Sequence, residues 1–402
     1  MSDFADKALL PAGLSDLLAP EAALEAQVTE SLMAAFQARG YERVKPPLME
    51  FERSLFAGSG AALANWTFRV MDPESRKMMS IRPDMTTQAA RIATTRLAKA
   101  PRPLRISYSG QVLRVKGSQL RPERQFGQVG VEIFGSQPPQ EPETPQAPQA
   151  DAEIILMTAA ALAAVGVTGL SVDLGLPTLV PAITAGLGLD QDTELSLREA
   201  FDRKDAAAVA SLGENIGGEA AALFEALIKV TGPAAKALEA LAGLDLPAAA
   251  AAELSSLVSV ADSLGADESC PNLTIDVVEN RGFEYYTGVT YTFFAKNVRG
   301  ELGRGGRYRT AGAEGKGSAA SGLTLFMDSV LRAIPQTTLD RNCATKRLFL
   351  PVGTPADAGK RLRAEGWTTI SGLGPTPDPA GEAERLGCGH WLDNGTVRDL
   401  NS

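Results

Sequence analysis

Residues 110–135, GQVLRVKGSQLRPERQFGQVGVEIFG, read as two strands joined by a basic loop. Side chains alternate between the two faces of a strand. Val129, Val131 and Ile133 therefore point one way, and Gln128, Gly130 and Glu132 the other. An apolar face of this kind calls for a covering layer, which places the hairpin in a larger sheet. On the polar face, Gly130 leaves a gap between two hydrogen-bonding groups. That arrangement suits a small ligand, and it equally suits an ordinary solvated face.

The surrounding chain supplies the layers. Pro20 opens a helix in which Leu24, Val28, Leu32 and Phe36 recur every fourth residue, and Gly40 closes it. YERVKPPLME reads as a strand. MMSIRPDMTTQAARIATTRLAKA reads as strand, turn at Arg82-Pro83-Asp84, and helix, with Asp84 or Thr86 as N-cap. The Pro- and Gln-rich stretch 137–150 cannot bury a core and is expected to be a surface loop. DAEIILMTAAALAAVG resumes as helix and LSVDLGL as strand. An alanine-rich stretch, 178–268, reads as a helical insertion broken at Gly213, Gly217, Gly232 and Gly243. NLTIDVVEN and RGFEYYTGVTYTFFAK read as strands, RGELGRGGRYRTAG as a glycine-rich turn, and SGLTLFMDSVLRAI as a helix presenting Leu323, Phe326, Val330 and Ile334. RLFLPVGTPADAGKRLRAEGWTTI reads as a strand-helix-strand unit too small for a full core of its own. Strands and helices in mixed order, with hairpins, predict an α+β fold built on an antiparallel sheet. The expected parts are a core over 1–177 and 269–336, the insertion 178–268, and a small C-terminal α/β domain over 337–402.

Composition excludes several chemistries. The 402 residues contain one histidine, His390, so a Ser-His-Asp centre or a histidine-rich metal site has no material in the body of the chain. His390 itself reads as a tail residue without a special role. Cys270, Cys343 and Cys388 are scattered and form no CxxC pair, so neither a disulfide framework nor a zinc site is expected. No apolar run reaches the roughly 18 residues that span a bilayer, and the acidic start MSDFADKALLPAGL is a poor signal peptide. A cytoplasmic protein without metal or cofactor is the expectation. The net charge of −9 weighs against extended nucleic-acid contact. Locally, Arg102, Arg105, Arg114, Lys116, Arg121 and Arg124 face only Glu123. Such a run suits a phosphate or carboxylate, or is simply solvated. GELGRGGRY lacks the pattern of a phosphate-binding P-loop.

From LPAGLSDLLAPE through SVLRAI the chain resembles the catalytic core of class II aminoacyl-tRNA synthetases, histidyl-tRNA synthetase in particular. IRPDMT is similar to that family's Leu-Arg-Pro-Glu-Gly-Thr loop, GQVLR…ERQFGQVGVEIFG to its motif 2 hairpin, and RGFEYYTG to its Arg-Gly-Leu-Asp-Tyr-Tyr histidine signature. GGRY and SGLTLFMDSVL stand in the place of motif 3. The resemblance implies a histidine pocket on the polar face. Glu132 and Tyr286, beside Tyr285, would read the imidazole; Asp84, Thr86 and Gln128 would hold the ammonium; Arg281 or Arg114 would take the carboxylate.

The departures fall on the nucleotide side. Where the synthetases have Phe-Arg-x-Glu in motif 2, this chain has Leu113-Arg114-Val115-Lys116, and where motif 3 has an arginine it has Ser329. Gly127 stands in Gln125-Phe126-Gly127-Gln128 for the family's histidine, Pro122-Glu123 replaces its loop tip, and Asp84 is a methylene shorter than its glutamate. Loss of one preorganised electrostatic contact typically costs on the order of 10²–10³ in rate. A kept amino-acid half and a lost nucleotide clamp resemble the family of ATP phosphoribosyltransferase regulatory subunits. That resemblance implies no catalysis, a short-form catalytic partner subunit, a homodimer within a hetero-oligomer, and feedback inhibition by L-histidine in the first step of histidine biosynthesis. The alternative is a divergent adenylate-forming synthetase paralogue, and a third reading is a regulator that holds RNA.

Overall fold

The computed structural model describes residues 9–135, 148–278, 286–310, 317–335 and 346–400. Its contacts divide the chain into two units, Met1–Pro335 and Gln336–Ser402.

The larger unit is organised by a nine-stranded sheet in the order β1-β5-β6-β12-β11-β10-β7-β9-β8. Its strands are β1 (Glu42–Arg43), β5 (Leu104–Leu113), β6 (Gln125–Phe134), β7 (Leu170–Gly175), β8 (Thr231–Pro233), β9 (Asn272–Asp276), β10 (Tyr286–Ala295), β11 (Gly303–Arg309) and β12 (Ala319–Phe326). The centre is antiparallel, and parallel pairs occur at β1–β5 and β7–β9. A smaller antiparallel sheet joins β2 (Met49–Phe51), β3 (Arg69–Met71) and β4 (Met78–Ile81) in the order β2-β4-β3.

Helix α1 (Glu21–Gln37) forms where the four-residue spacing predicts it. Leu24, Val28, Leu32 and Phe36 are all buried, and Gly40 follows in the left-handed conformation at φ 83°. Helix α2 (Thr86–Thr94) lies on the polar face of the sheet, packing Met85, Ala89 and Ala93 against Ile106 and Tyr108. Helix α3 (Pro148–Ala164) covers the other face and begins inside the stretch expected to be loop; residues 136–147 of that stretch lie outside the described residues.

Three sequence expectations are corrected. Residues 319–326 are strand, and only α5 (Met327–Ala333) at their end is helix. β12 mixes small, polar and apolar residues on both of its buried faces, so no alternation marks it and a four-residue spacing emerges by coincidence. The glycine-rich segment expected to turn is β11. Its glycines are there because neighbouring strands press close: a Cβ on Gly303 would strike the Thr324 carbonyl, and one on Gly305 the Gly322 carbonyl and the Tyr291 ring. The alanine-rich region, a run of short helices between 179 and 229 and from 234 to 242 followed by α4 (Ala248–Gly265), also contributes β8, which pairs with β9 at the sheet edge.

The second unit carries its own sheet, β14-β13-β15-β16, from β13 (Arg347–Leu350), β14 (Thr368–Ser371), β15 (His390–Asp393) and β16 (Thr396–Asp399), with helices α6 (Ala356–Ala364) and α7 (Pro379–Arg385). Leu348, Leu350, Leu362 and Leu392 form one apolar cluster, and Phe349, Ala383 and Cys388 another. Alternation along β13 thus feeds two clusters. The strand-helix-strand reading undercounted this core because its second half comes from residues after Ile370. His390 is no loose tail residue: its ring packs edge-on against Trp367, centroids 4.9 Å apart, with Nε2 3.7 Å from Asp399.

Candidate functional site

Strand β6 sits between β5 and β12, and its register assembles the polar face. Glu132 stands opposite Ile106 and Gly322, Gly130 opposite Tyr108 and Thr324, and Gln128 opposite Gly110 and Phe326. On the next strand Arg304 faces Thr324, Gly306 faces Gly322 and Tyr308 faces Ala320. Of these, Glu132, Gly322, Thr324, Phe326, Arg304, Gly306 and Tyr308 floor a small cleft walled by Asp84, Thr86, Arg114 and Tyr286.

Glu132 lies at the bottom, only 1% exposed. Tyr108 Oη donates to its Oε1 at 3.0 Å and Tyr308 Oη to its Oε2 at 2.9 Å. A Cβ at Gly322 would collide with Glu132 Oε2, so glycine there lets the carboxyl lie across the neighbouring strand. Burial pushes this carboxyl up to about 8, with the charge of Asp84 adding to the effect and the tyrosine hydroxyls opposing it. Gly130 does not open a gap for ligand: a Cβ there would run into the end of the Tyr108 ring. The missing side chain makes room for Tyr108, whose hydroxyl also meets Thr324 Oγ1 at 2.9 Å and Thr86 Oγ1 at 3.0 Å.

At the other end Asp84 is fixed before it meets anything. Its Oδ1 accepts from the Thr86 N–H at 2.8 Å and its Oδ2 from Gln128 Nε2 at 2.9 Å. Asp84 thus satisfies an N–H at the start of α2 from outside the helix, while the residue at the cap position is Met85, which has no capping side chain. Gln128 is fully buried; its Oε1 accepts from the Met85 N–H at 3.1 Å. It braces Asp84 from behind and is not a wall of the cleft. Arg114 donates from Nε to the Pro83 carbonyl at 3.2 Å and stacks 5.0 Å over Phe126. Burial lowers it to about 10, with Asp84 pulling the other way, so it stays a cation at neutral pH. Arg281 and Tyr285 lie outside the described residues.

Arg114 and Arg304 also wall a second, larger cleft, with Trp66, Lys116, Glu123 and Glu301. Here the basic run is spent internally. Arg121 is buried, 3.8 Å over the Phe326 ring and 5.2 Å over Phe126. Its Nε reaches Asp328 at 3.1 Å and its Nη2 donates to Ser329 Oγ at 3.1 Å. Arg332 donates to the same Ser329 hydroxyl at 3.1 Å and pairs with Glu123 at 3.1 Å. Arg105 pairs with Glu153, Arg102 donates to the Ala93 carbonyl, and Arg124 to the Arg114 and Ala12 carbonyls. Lys116 stays exposed, 5.4 Å over the Trp66 ring.

A family profile described as histidyl-tRNA synthetase matches residues 13–330. The regulatory subunit of ATP phosphoribosyltransferase from Paramagnetospirillum magneticum is 55% identical over 392 residues, covering 98% of each chain. The protein of the same name from Gluconobacter oxydans is 43% identical over 401 residues, 99% of each. The chain belongs to the ATP phosphoribosyltransferase regulatory subunit family. A Bacillus halodurans structure described as an ATP phosphoribosyltransferase regulatory subunit/histidyl-tRNA synthetase superposes with TM-score 0.78 at 21% identity, over 94% of this chain and 96% of that one. A histidyl-tRNA synthetase from Nostoc superposes with TM-score 0.74 at 17% identity, over 98% and 95%. These superpositions carry the class II synthetase fold.

Within this regulatory-subunit fold, Asp84, Thr86, Arg114, Glu132 and Tyr286 come together in one cleft. Tyr308, Arg304 and Thr324 line it, and buried Tyr108 holds Glu132 and Thr324 from behind; none of the four was expected from the sequence. Tyr108 was findable, since it shares the polar face across the hairpin from Gly130. Among the described residues no His, Cys, Asp or Glu group has the grouping of a metal site, and no helix is long and apolar enough to cross a membrane.

Proposed function

We propose that the smaller cleft takes free L-histidine, and that this non-catalytic subunit passes the signal to a short-form ATP phosphoribosyltransferase catalytic chain in the cytoplasm. The observation that carries this reading is the order of charge along the cleft. A buried carboxyl between tyrosine hydroxyls lies at one end, Asp84 at the other, and Arg114 beside Asp84. An amino acid with a basic ring presents the complementary sequence of ring nitrogens, ammonium and carboxylate. Glu132 and Tyr286 receive the ring, Asp84 and Thr86 the ammonium, and Arg114 the carboxylate.

The family supports a role in the first step of histidine biosynthesis, with this chain as a homodimer inside a hetero-oligomer. Feedback then requires histidine to bind the inhibited assembly more tightly than the active one. A coupling of roughly 1–3 kcal/mol, about 5- to 150-fold, suffices. Calorimetric titration of histidine into the wild type and Glu132→Ala tests the pocket, with heat expected from the first alone. Equal heats, or none from the wild type, overturn the assignment. Co-purification with the catalytic chain, and activity with and without histidine, tests the partner.

A second reading rests on the larger cleft, which adjoins the first through Arg114 and Arg304. It makes the chain a divergent adenylate-forming enzyme. Against it stands Arg121, which occupies the aromatic faces of Phe126 and Phe326 and is tied to Asp328. Histidine-dependent pyrophosphate exchange by the purified chain would establish this second reading, and its absence would reject it.

A further inference from the structure

The charge state of the cleft floor extends the reading just given, and rests on it. Glu132 is enclosed by groups from every neighbouring element. Tyr108 comes from β5, Tyr308 and Arg304 from β11, Tyr286 from β10, Asp84 and Thr86 from the start of α2, and Arg114 from the end of β5. Strand β12 offers only Gly322 and the Thr324 hydroxyl on this side. Through the sheet lie Tyr291, on the Gly322 carbonyl, and the Asp151–Arg307 pair, which also engages Ser321 and Ser256. The groups that touch Glu132 are hydroxyls, and the charge acting on it is the like charge of Asp84. Among the described residues no cation is hydrogen-bonded to Glu132, and a carboxyl so buried keeps its proton.

We infer that Glu132 enters the binding reaction as a carboxylic acid and passes its proton to the unprotonated ring nitrogen of the incoming azole, so that the ligand is held as an imidazolium on a carboxylate. The Glu132 O–H bond breaks and a ring N–H bond forms. The negative charge is left on Glu132 and the positive charge arises on the ring, so the net charge of the complex is unchanged. Tyr108 is built for both states. Before transfer the acid donates to Tyr108 Oη, whose own hydrogen turns to Thr324 or Thr86, both within reach. After transfer Tyr108 and Tyr308 both donate to the carboxylate, which then has a cation beside it and two hydroxyl donors. The same position near 8 for Glu132 supplies the proton at neutral pH, where free histidine, with a ring value of about 6.5, is mostly neutral.

The test is the protonation of bound histidine, read by nitrogen NMR with ring-labelled L-histidine and the full-length chain at about pH 7.5, a pH at which the free ring is mostly neutral. Both ring nitrogens of the bound ligand are expected in the protonated, imidazolium form. A bound ring in a neutral tautomer overturns the transfer while leaving the histidine pocket standing. No bound signal at millimolar histidine overturns the pocket and the transfer together. Titration calorimetry in two buffers of different ionisation heat gives a second readout that needs no variant. Near pH 7.2, binding is expected to exchange roughly no protons with solvent, because the proton moves internally. Uptake of close to one proton per site would mean that Glu132 is already ionised and would reject the proposal. Glu132→Gln keeps the shape and cannot donate an acid proton, so any histidine it binds is expected with a neutral ring. An imidazolium in that variant would also reject Glu132 as the source.

Discussion

In the smaller cleft Glu132, Asp84 and Arg114 converge on a common space, whereas Arg121, on the wall of the larger one, turns to Asp328 and Ser329 behind it. The two clefts share Arg114 and Arg304. What separates them is whether the protein's own groups have satisfied each other. At Glu132 a buried carboxyl is held by hydroxyls alone and still faces the cleft. At Arg121 the guanidinium is seated on an internal carboxylate and two aromatic faces. Counting basic residues along the sequence cannot tell these cases apart.

Substitutions can break that contrast in order of size. Glu132→Ala removes the floor of the smaller cleft and leaves two buried tyrosine hydroxyls without their acceptor. Histidine affinity is expected to fall by at least about a hundredfold, since losing a charged hydrogen-bond partner and orphaning buried donors costs about 3 kcal/mol or more. Titration calorimetry checks it, and a loss under tenfold would show that the carboxyl does not touch the ligand. Glu132→Gln is expected to stabilise the protein at alkaline pH. The wild-type carboxyl ionises near 8 when folded and near 4.5 when unfolded. Wild-type stability therefore declines as pH rises from about 4.5 to 8 and is level above that. The glutamine variant lacks this decline, so its advantage grows across the same window to the order of a few kcal/mol. Thermal melts at several pH values report it, and parallel curves for the two proteins would contradict the buried acid.

Arg121→Ala sharpens the comparison from the other side. Removing the buried guanidinium strands Asp328 and uncovers Phe326, with an expected stability loss of about 2–4 kcal/mol. Histidine affinity should stay within about threefold, because Arg121 does not wall the smaller cleft. A large affinity loss without a fall in melting temperature would reverse the roles given to the two clefts. The smallest effect is expected from Lys116→Ala, an exposed ammonium over Trp66, at about 0.5 kcal/mol or less in a denaturant titration.

Much of the scaffold was legible in the sequence because its periodicities are one-sided. Helix α1 has one apolar stripe, and β6 alternates Val129, Val131 and Ile133 with Gln128, Gly130 and Glu132. β12 mixes small, polar and apolar residues on both of its buried faces, so no alternation marks it and it read as helix. Where strands crowd, glycines replace side chains, which is why β11 read as a turn. The site followed the same logic. Charged members of the cleft could be named from the resemblance, but Gly130 was taken for an opening when it is the seat of Tyr108. Gln128, expected at the ligand, serves Asp84 instead. Such errors concern partners across strands, which depend on register and are not visible along one segment.

The guanidinium groups of Arg114 and Arg304 stand in the partition between two chambers. An anion admitted to the larger chamber draws on the same fixed positive field that a carboxylate in the smaller one needs. The chambers are thereby made rivals, and by thermodynamic reciprocity each occupant weakens the other by an equal factor. On the histidine reading proposed above, a phosphate-bearing visitor would lower the affinity for the amino acid without touching the floor of its cleft.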